Sequence, residues 1–253
     1  MSKKFIPVLL ILIIGGLFIT FGVMGKSDKR NDDPKAKYQR ILRNVGIVLE
    51  QGHYSPKKID DKFSKEVLKK FEESLDPDKY IFLQSDIDAF KKYENKIDDE
   101  IHGTPLESFY AISDVYSKRI DEVSKMYTDI LSKPFDFSAN ESLQTDGDKR
   151  NYPANVAQRF DYGRKRLKYL VLGRFVDLQD DRDKNKKDSS YKADSTLQRE
   201  AVAVVSKQMD RYFKTLRNHN TTDDLFSTFV NSITGSMDPH TTYFEPVDKR
   251  SFD

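Results

Sequence analysis

From Tyr38 to Ile233 apolar residues return at every third or fourth position, and a chain with that period is committed to amphipathic helices. Tyr38, Ile41, Leu42, Val45, Val48 and Leu49 mark the first, with Asp33 as its cap, Pro34 at its first position and Gly52 near its end. Ser55-Pro56 predicts the start of a second through Ile59, Phe63, Val67, Leu68, Phe71 and Leu75, which the turn formers Asp76 and Pro77 stop. Ser85 and Asp88 offer a capping box for a third, carrying Ile87, Phe90, Ile97 and Ile101 and closed by His102-Gly103. Thr104-Pro105-Leu106-Glu107 is a better box, and it opens a long helix from Leu106 through Tyr116, Ile120, Val123 and Tyr127 to Leu131. "SKPFDFSANESLQTDGDKRNYP" then breaks the pattern, with room for a short extended piece. Helical spacing resumes at Val156 and Phe160 and continues through Leu167, Leu170, Val171 and Phe175. After a solvated connection, "DLQDDRDKNKKDSSYKADS", two last helices carry Leu197 to Leu216 and Leu225 to Ile233. The fold class is therefore all-α.

Ahead of the helices, Phe5 to Met24 contains no charged residue, and Lys3 and Lys4 precede it. A helix of that length just spans a hydrocarbon core of about 30 Å. Two readings stand for residues 1–25: an uncleaved membrane anchor, or an export signal cleaved near Val23-Met24-Gly25. Either one sends the rest of the chain out of the cytoplasm. Residues 26–34 read as a polar tether.

Composition narrows the chemistry. The chain has 253 residues, enough for one or two domains, with 33% charged and 37% hydrophobic. A formal net charge of +2 argues against a dominant attraction to nucleic acid. Having no cysteine, the chain has no disulfide, thiol nucleophile or Cys-ligated zinc.

The motifs that imitate active sites each have a plainer reading. Ser55-Pro56-Lys57-Lys58 fits the S-x-x-K spacing of penicillin-recognising serine enzymes, but no S-D-N or K-T-G follows, and serine before proline is a helix cap. Glu50 and His53 have the spacing of a di-iron ligand pair, yet Gly52 interrupts them and no second copy exists. The four histidines, His53, His102, His219 and His240, are scattered, so no metal and no cofactor are expected. "DIDAF" and "DDRDKNKKD" lack the glycine and glutamate of a calcium loop. Arg164, Lys165, Arg166, Lys168 and Arg174 crowd one helix, but Leu167, Leu170, Val171 and Phe175 claim its core side, leaving the charges as a solvated face and no nucleic-acid site.

Three blocks carry a stronger signal: "HYSPKKIDDKFSKEVLKKFEESLDPDKYIFLQSDIDAF", "YGRKRLKYLVLGRF" and "FVNSITGSMDPHTTYFEP". In this order and separation they resemble the N-terminal region of bacterial tail-specific proteases, the C-terminal processing peptidases. The most specific piece is the D-P-H-T-x-Y run from Asp238, with Pro246 following. The resemblance implies an exported serine endopeptidase with a Ser–Lys dyad, a PDZ module that captures substrate C-termini, and a helical N-terminal domain. On that footing residues 35–236 are the helical domain, and 237–253 a junction towards PDZ and peptidase parts expected to be missing here. No catalytic, cofactor-binding or metal-binding residue is assigned, and no peptidase activity is expected of this chain alone. Expected partners are those parts, an adaptor protein on the helical surface, and the membrane through residues 5–24 if uncleaved. The expected location is the cell envelope, on its periplasmic side. The alternative is a freestanding envelope-anchored helical module that acts only by binding.

Overall fold

A computed structural model describes residues 33–184 and 191–244; the hydrophobic run Phe5–Met24, most of the tether and residues 245–253 lie outside them. The chain divides into two compact units, Met1–Lys37 and Tyr38–Asp253. In the first, Asp33 caps the opening turn of α1 (Pro34–Gln51) by accepting from the Lys35 N–H at 3.0 Å.

Seven further helices follow: α2 (Asp61–Leu75), α3 (Gln84–Phe90), α4 (Ile97–His102), α5 (Ser108–Leu131), α6 (Val156–Lys184), α7 (Asp194–Asn218) and α8 (Thr222–Met237). Among the described residues there is no strand, so the fold is all-helical. No helix among them is long and apolar enough to cross a membrane. α5 is central, packing against α3, α6, α7 and α8, while α2 lies along α8 and α4, and α6 along α7. The core is rich in rings: Phe109 meets Phe226 and Phe229 at 5.4 and 5.7 Å, and Phe71 meets Phe229 edge-on at 5.1 Å.

Several helix starts differ from the sequence expectation, each for a local reason. Asp60, not Ser55, caps α2, accepting from the N–H groups of Lys62 and Phe63. α3 begins at Gln84, where Asp86 reaches back to the Leu83 N–H at 2.9 Å, so the Ser85–Asp88 box does not form. The expected third helix is in fact α3, a single 3-10 turn (Lys91–Tyr93) and α4. That break lets α4 close on α1, where a Cβ at Gly46 would collide with Ile101. The Thr104 box also fails to form. The buried carboxylate of Glu100 caps α5 instead, accepting from the N–H groups of Glu107 and Ser108 and from the Ser108 hydroxyl. The connection expected over Asp177–Ser195 is helical at both ends, because Arg182 near the end of α6 pairs with Asp194 at the start of α7.

Between α2 and α3 the segment Tyr80–Leu83 is buried without being helical. Buried backbone groups need partners. Asp76 accepts from three consecutive N–H groups, Tyr80, Ile81 and Phe82, at 2.9–3.0 Å. Arg159, only 2% exposed, donates to the Ile81 carbonyl and to Glu122. Glu122 and Asp86 both hold Arg119, so a chain of charges Asp86–Arg119–Glu122–Arg159 ties α3, α5 and α6 around this segment. Burial works against ionisation of Asp86, yet the Arg119 fork and the Leu83 N–H hold its carboxyl below the usual range.

Candidate functional site

α8 ends at Met237, and the chain turns at once. The Asp238 carboxylate accepts from the His240 N–H at 2.8 Å and the Asp238 carbonyl from the Thr241 N–H at 3.1 Å, a tight turn of the kind aspartate before proline favours. The segment then runs back along α8, where the Asn231 side chain pairs with both backbone groups of Tyr243 at 2.8 and 3.2 Å.

Facing this turn is the loop after α1, Gly52 to Ile59, which carries the other motif block. The Tyr54 hydroxyl donates to Asp238 at 3.0 Å. His53 Nε2 lies 3.2 Å from the Thr241 hydroxyl. The Lys57 N–H reaches the Met237 sulfur at 2.9 Å, and Lys57 Nζ donates to the Ser236 carbonyl at 2.5 Å. From α2, Lys70 donates to the Gly235 carbonyl. Two cations thus occupy the carbonyl end of α8, where the helix dipole is negative. Residues some 180 positions apart are therefore brought together at the point where the chain leaves its last described helix.

The Ser55-x-x-Lys58 spacing does not bring those two side chains together. Lys58 pairs with Asp60 at 3.6 Å rather than with Ser55, whose N–H donates to His53 Nδ1. Ser236 Oγ is buried without a hydrogen-bond partner among the described residues. Glu50 turns to His102 at 3.0 Å, away from His53. Among the described residues no three His, Asp or Glu side chains converge to hold a metal. A hydrogen bond from the His240 N–H, burial working against it and the Tyr54 hydroxyl together keep the Asp238 carboxyl below its ordinary range, so it stays an acceptor.

The charges of the basic helix α6 do not form the solvated face expected from the sequence. Arg164 and Lys168 hold Glu141 of the loop between α5 and α6, Lys168 also binds the Ala139 carbonyl, Lys165 pairs with Asp161, and Arg166 lies over the Tyr80 ring. Arg164 and Lys168 anchor that loop, whose Glu141 is too distant in sequence to show in local spacing. Nothing in local spacing marks Tyr54, Lys57 or Asn231 as junction residues; the only trace in the sequence is that "HYSPKK" and "MDPHTTY" both belong to the blocks that carry the resemblance.

A model of the tail-specific protease N-terminal domain matches residues 47–247, a span that begins just ahead of the first block and ends just past the third. The chain belongs to that family. A relative, the tail-specific protease of Haemophilus influenzae, is 29% identical over 217 residues. The alignment covers 85% of this chain and 28% of that protein, so the tail-specific protease N-terminal domain described here spans well under a third of the relative. The two blocks that meet at the end of α8 both lie inside the matched region.

Proposed function

We propose that this chain is the non-catalytic N-terminal helical portion of an exported tail-specific serine endopeptidase. In this reading residues 1–25 direct export or anchor the chain, 26–34 form the tether, 35–236 are the helical domain, and 237–253 lead to a PDZ module and a Ser–Lys peptidase core in the envelope, on the periplasmic side. The observation that carries it is the tie between the Gly52–Ile59 loop and the Asp238–Thr241 turn, which fixes the direction in which the chain leaves α8. A domain that frames a separate catalytic core has to hold its outgoing chain at a set angle, and this tie does so.

The test compares the purified chain with one extended by the downstream part of a tail-specific protease. The short chain is expected to leave unstructured peptides intact and the extended one to cleave them. Cleavage by the short chain that vanishes on Ser55→Ala or Ser236→Ala would overturn the proposal.

One observation favours a second reading, a freestanding binding module. Tyr169, Leu172 and Val176 form an exposed apolar stripe on α6. The reading frame downstream of Asp253 separates the two: PDZ and Ser/Lys motifs in frame support the first.

A further inference from the structure

We propose that residues 140–145 and the face of α6 beside them form a site that captures an extended peptide by strand addition. They lie in the connection between α5 and α6, where the sequence leaves room for a short extended piece. The site uses no residue of the junction, so it goes beyond the reading above, and its failure leaves that reading standing.

Residues 140–146 pass without helix, turn or bend. The run is held at both ends. Upstream, Lys168 Nζ holds the Ala139 carbonyl at 3.0 Å, and Arg164 and Lys168 hold the Glu141 carboxylate. Downstream, a Cβ at Gly147 would collide with the Pro77 carbonyl, and Arg150 donates to the carbonyls of Asp78 and Lys79. Between these anchors no backbone N–H or carbonyl of residues 140–145 has a hydrogen-bond partner among the described residues. An edge that is held but unpaired is a template for another strand. Its sequence, "NESLQT", has neither the proline nor the lysine that commonly blunts an edge, and Arg164 and Lys168 draw its one charge, Glu141, onto α6.

Beside the edge opens a cavity of about 530 Å³, with Phe137, Leu143, Tyr169 and Leu172 as its apolar lining and Lys165 and Lys168 among its charges. Tyr169 is 61% exposed, and Phe137 is fixed by stacking on Phe175 at 5.9 Å. The edge and the lining together select the occupant. A helix bonds its own backbone groups internally and would leave the edge unpaired. An extended peptide pairs with it group for group and turns every second side chain towards Leu143, Tyr169 and Leu172. Charge narrows the choice. Arg164, Lys165 and Lys168 stand against two acids, Glu141 and Asp161, so an acidic peptide is favoured over a basic one. Because the edge is already held, little of the ordering cost falls on the protein. The ligand class is an unfolded polypeptide segment with alternating apolar residues and acidic flanks.

The test titrates the full 253-residue chain into the fluorescein-labelled peptide Asp-Val-Thr-Val-Thr-Val-Asp and follows anisotropy. Saturable binding is expected. A strand pairs through one of its two edges, so N-methylating either the valines or the threonines blocks one edge at a time. One methylated peptide should bind at least roughly ten-fold more weakly than the other, the factor that goes with losing one or two net hydrogen bonds. The double variant Tyr169→Ser, Leu172→Ser alters two exposed side chains, so it should keep the melting temperature and lose binding by a similar factor. No saturable binding, equal affinity of the two methylated peptides, or full binding by the double variant would each overturn the site. So would tighter binding of a lysine-flanked version. Sedimentation of the chain as a dimer that the double variant dissolves would give the edge to a second copy and overturn it as well.

Discussion

Tyr54 donates to Asp238 across 184 residues of sequence at 3.0 Å, although the tyrosine is 83% exposed. An exposed hydrogen bond competes with water, so this pair orients the outgoing segment far more than it stabilises the fold. Tyr54→Phe should therefore leave the urea midpoint nearly unchanged. Hydrogen exchange should nevertheless speed up in Asp238–Tyr243 and leave the Phe226–Ile233 turns of α8 protected. Equal loss of protection in both would show that the segment and the helix open as one unit.

The buried arginine is the next point of leverage. Arg159→Ala removes a cation from between Glu122 and the Ile81 carbonyl, leaving both to lose a buried partner. Deleting one member of a buried pair costs about 3–5 kcal/mol, and Arg119 still holds Glu122, so a loss of about 2–4 kcal/mol is expected in urea unfolding. A change under about 1 kcal/mol would mean that water replaces the guanidinium without penalty.

Asp76 supports three donors with one carboxylate. Asp76→Ala strands three buried N–H groups at once and should cost at least about 3 kcal/mol, with Asp76→Asn, which keeps one acceptor oxygen, losing less. Thermal melts of the two variants rank them, and the reverse order would show that the charge itself is the burden.

Glu72 makes the fold sensitive to base. Burial, with Glu73 adding to it and Lys91 opposing, pushes its carboxyl from the usual 4.5 up to about 7. No hydrogen-bond or ion-pair partner for that carboxyl stands among the described residues. The folded chain thus holds the proton more tightly than the unfolded chain does. This contribution to stability is complete below about pH 4.5, falls between about 4.5 and 7, and is gone above. Glu72→Gln should flatten that slope and stabilise the chain at about pH 8 by as much as roughly 3 kcal/mol. Parallel pH profiles for the two proteins would place the slope on other groups.

The helices were legible because their burial is periodic: Phe63, Val67, Phe71 on α2 and Phe226, Phe229, Val230, Ile233 on α8 all lie where the spacing puts them. Their starting points were less so. A cap is a choice among neighbouring polar groups, and it was settled by partners outside the local window: Asp60 over Ser55, and Glu100 from a different helix over Thr104. α6 shows the same limit. Its buried positions Arg159, Gly163, Leu167, Val171 and Phe175 recur every fourth residue, but a stripe containing arginine and glycine does not read as apolar. The Asp238 turn was readable from its own chemistry. Its docking partner was not, since pairing across 184 residues, nearly the whole matched domain, leaves no mark in local spacing.

The alliance of α2 with α8 also sets a timetable. Lys70 and Gly235 stand 165 residues apart, and Phe71 is covered by Phe229 from the same late helix. At synthesis rates of about 5–20 residues per second, α2 is complete roughly ten to thirty seconds before its own cover exists. Through that interval Phe71 lacks its aromatic cover, and the nascent α2 can lean only on earlier-made partners such as α4, which leaves part of its apolar face open to a chaperone.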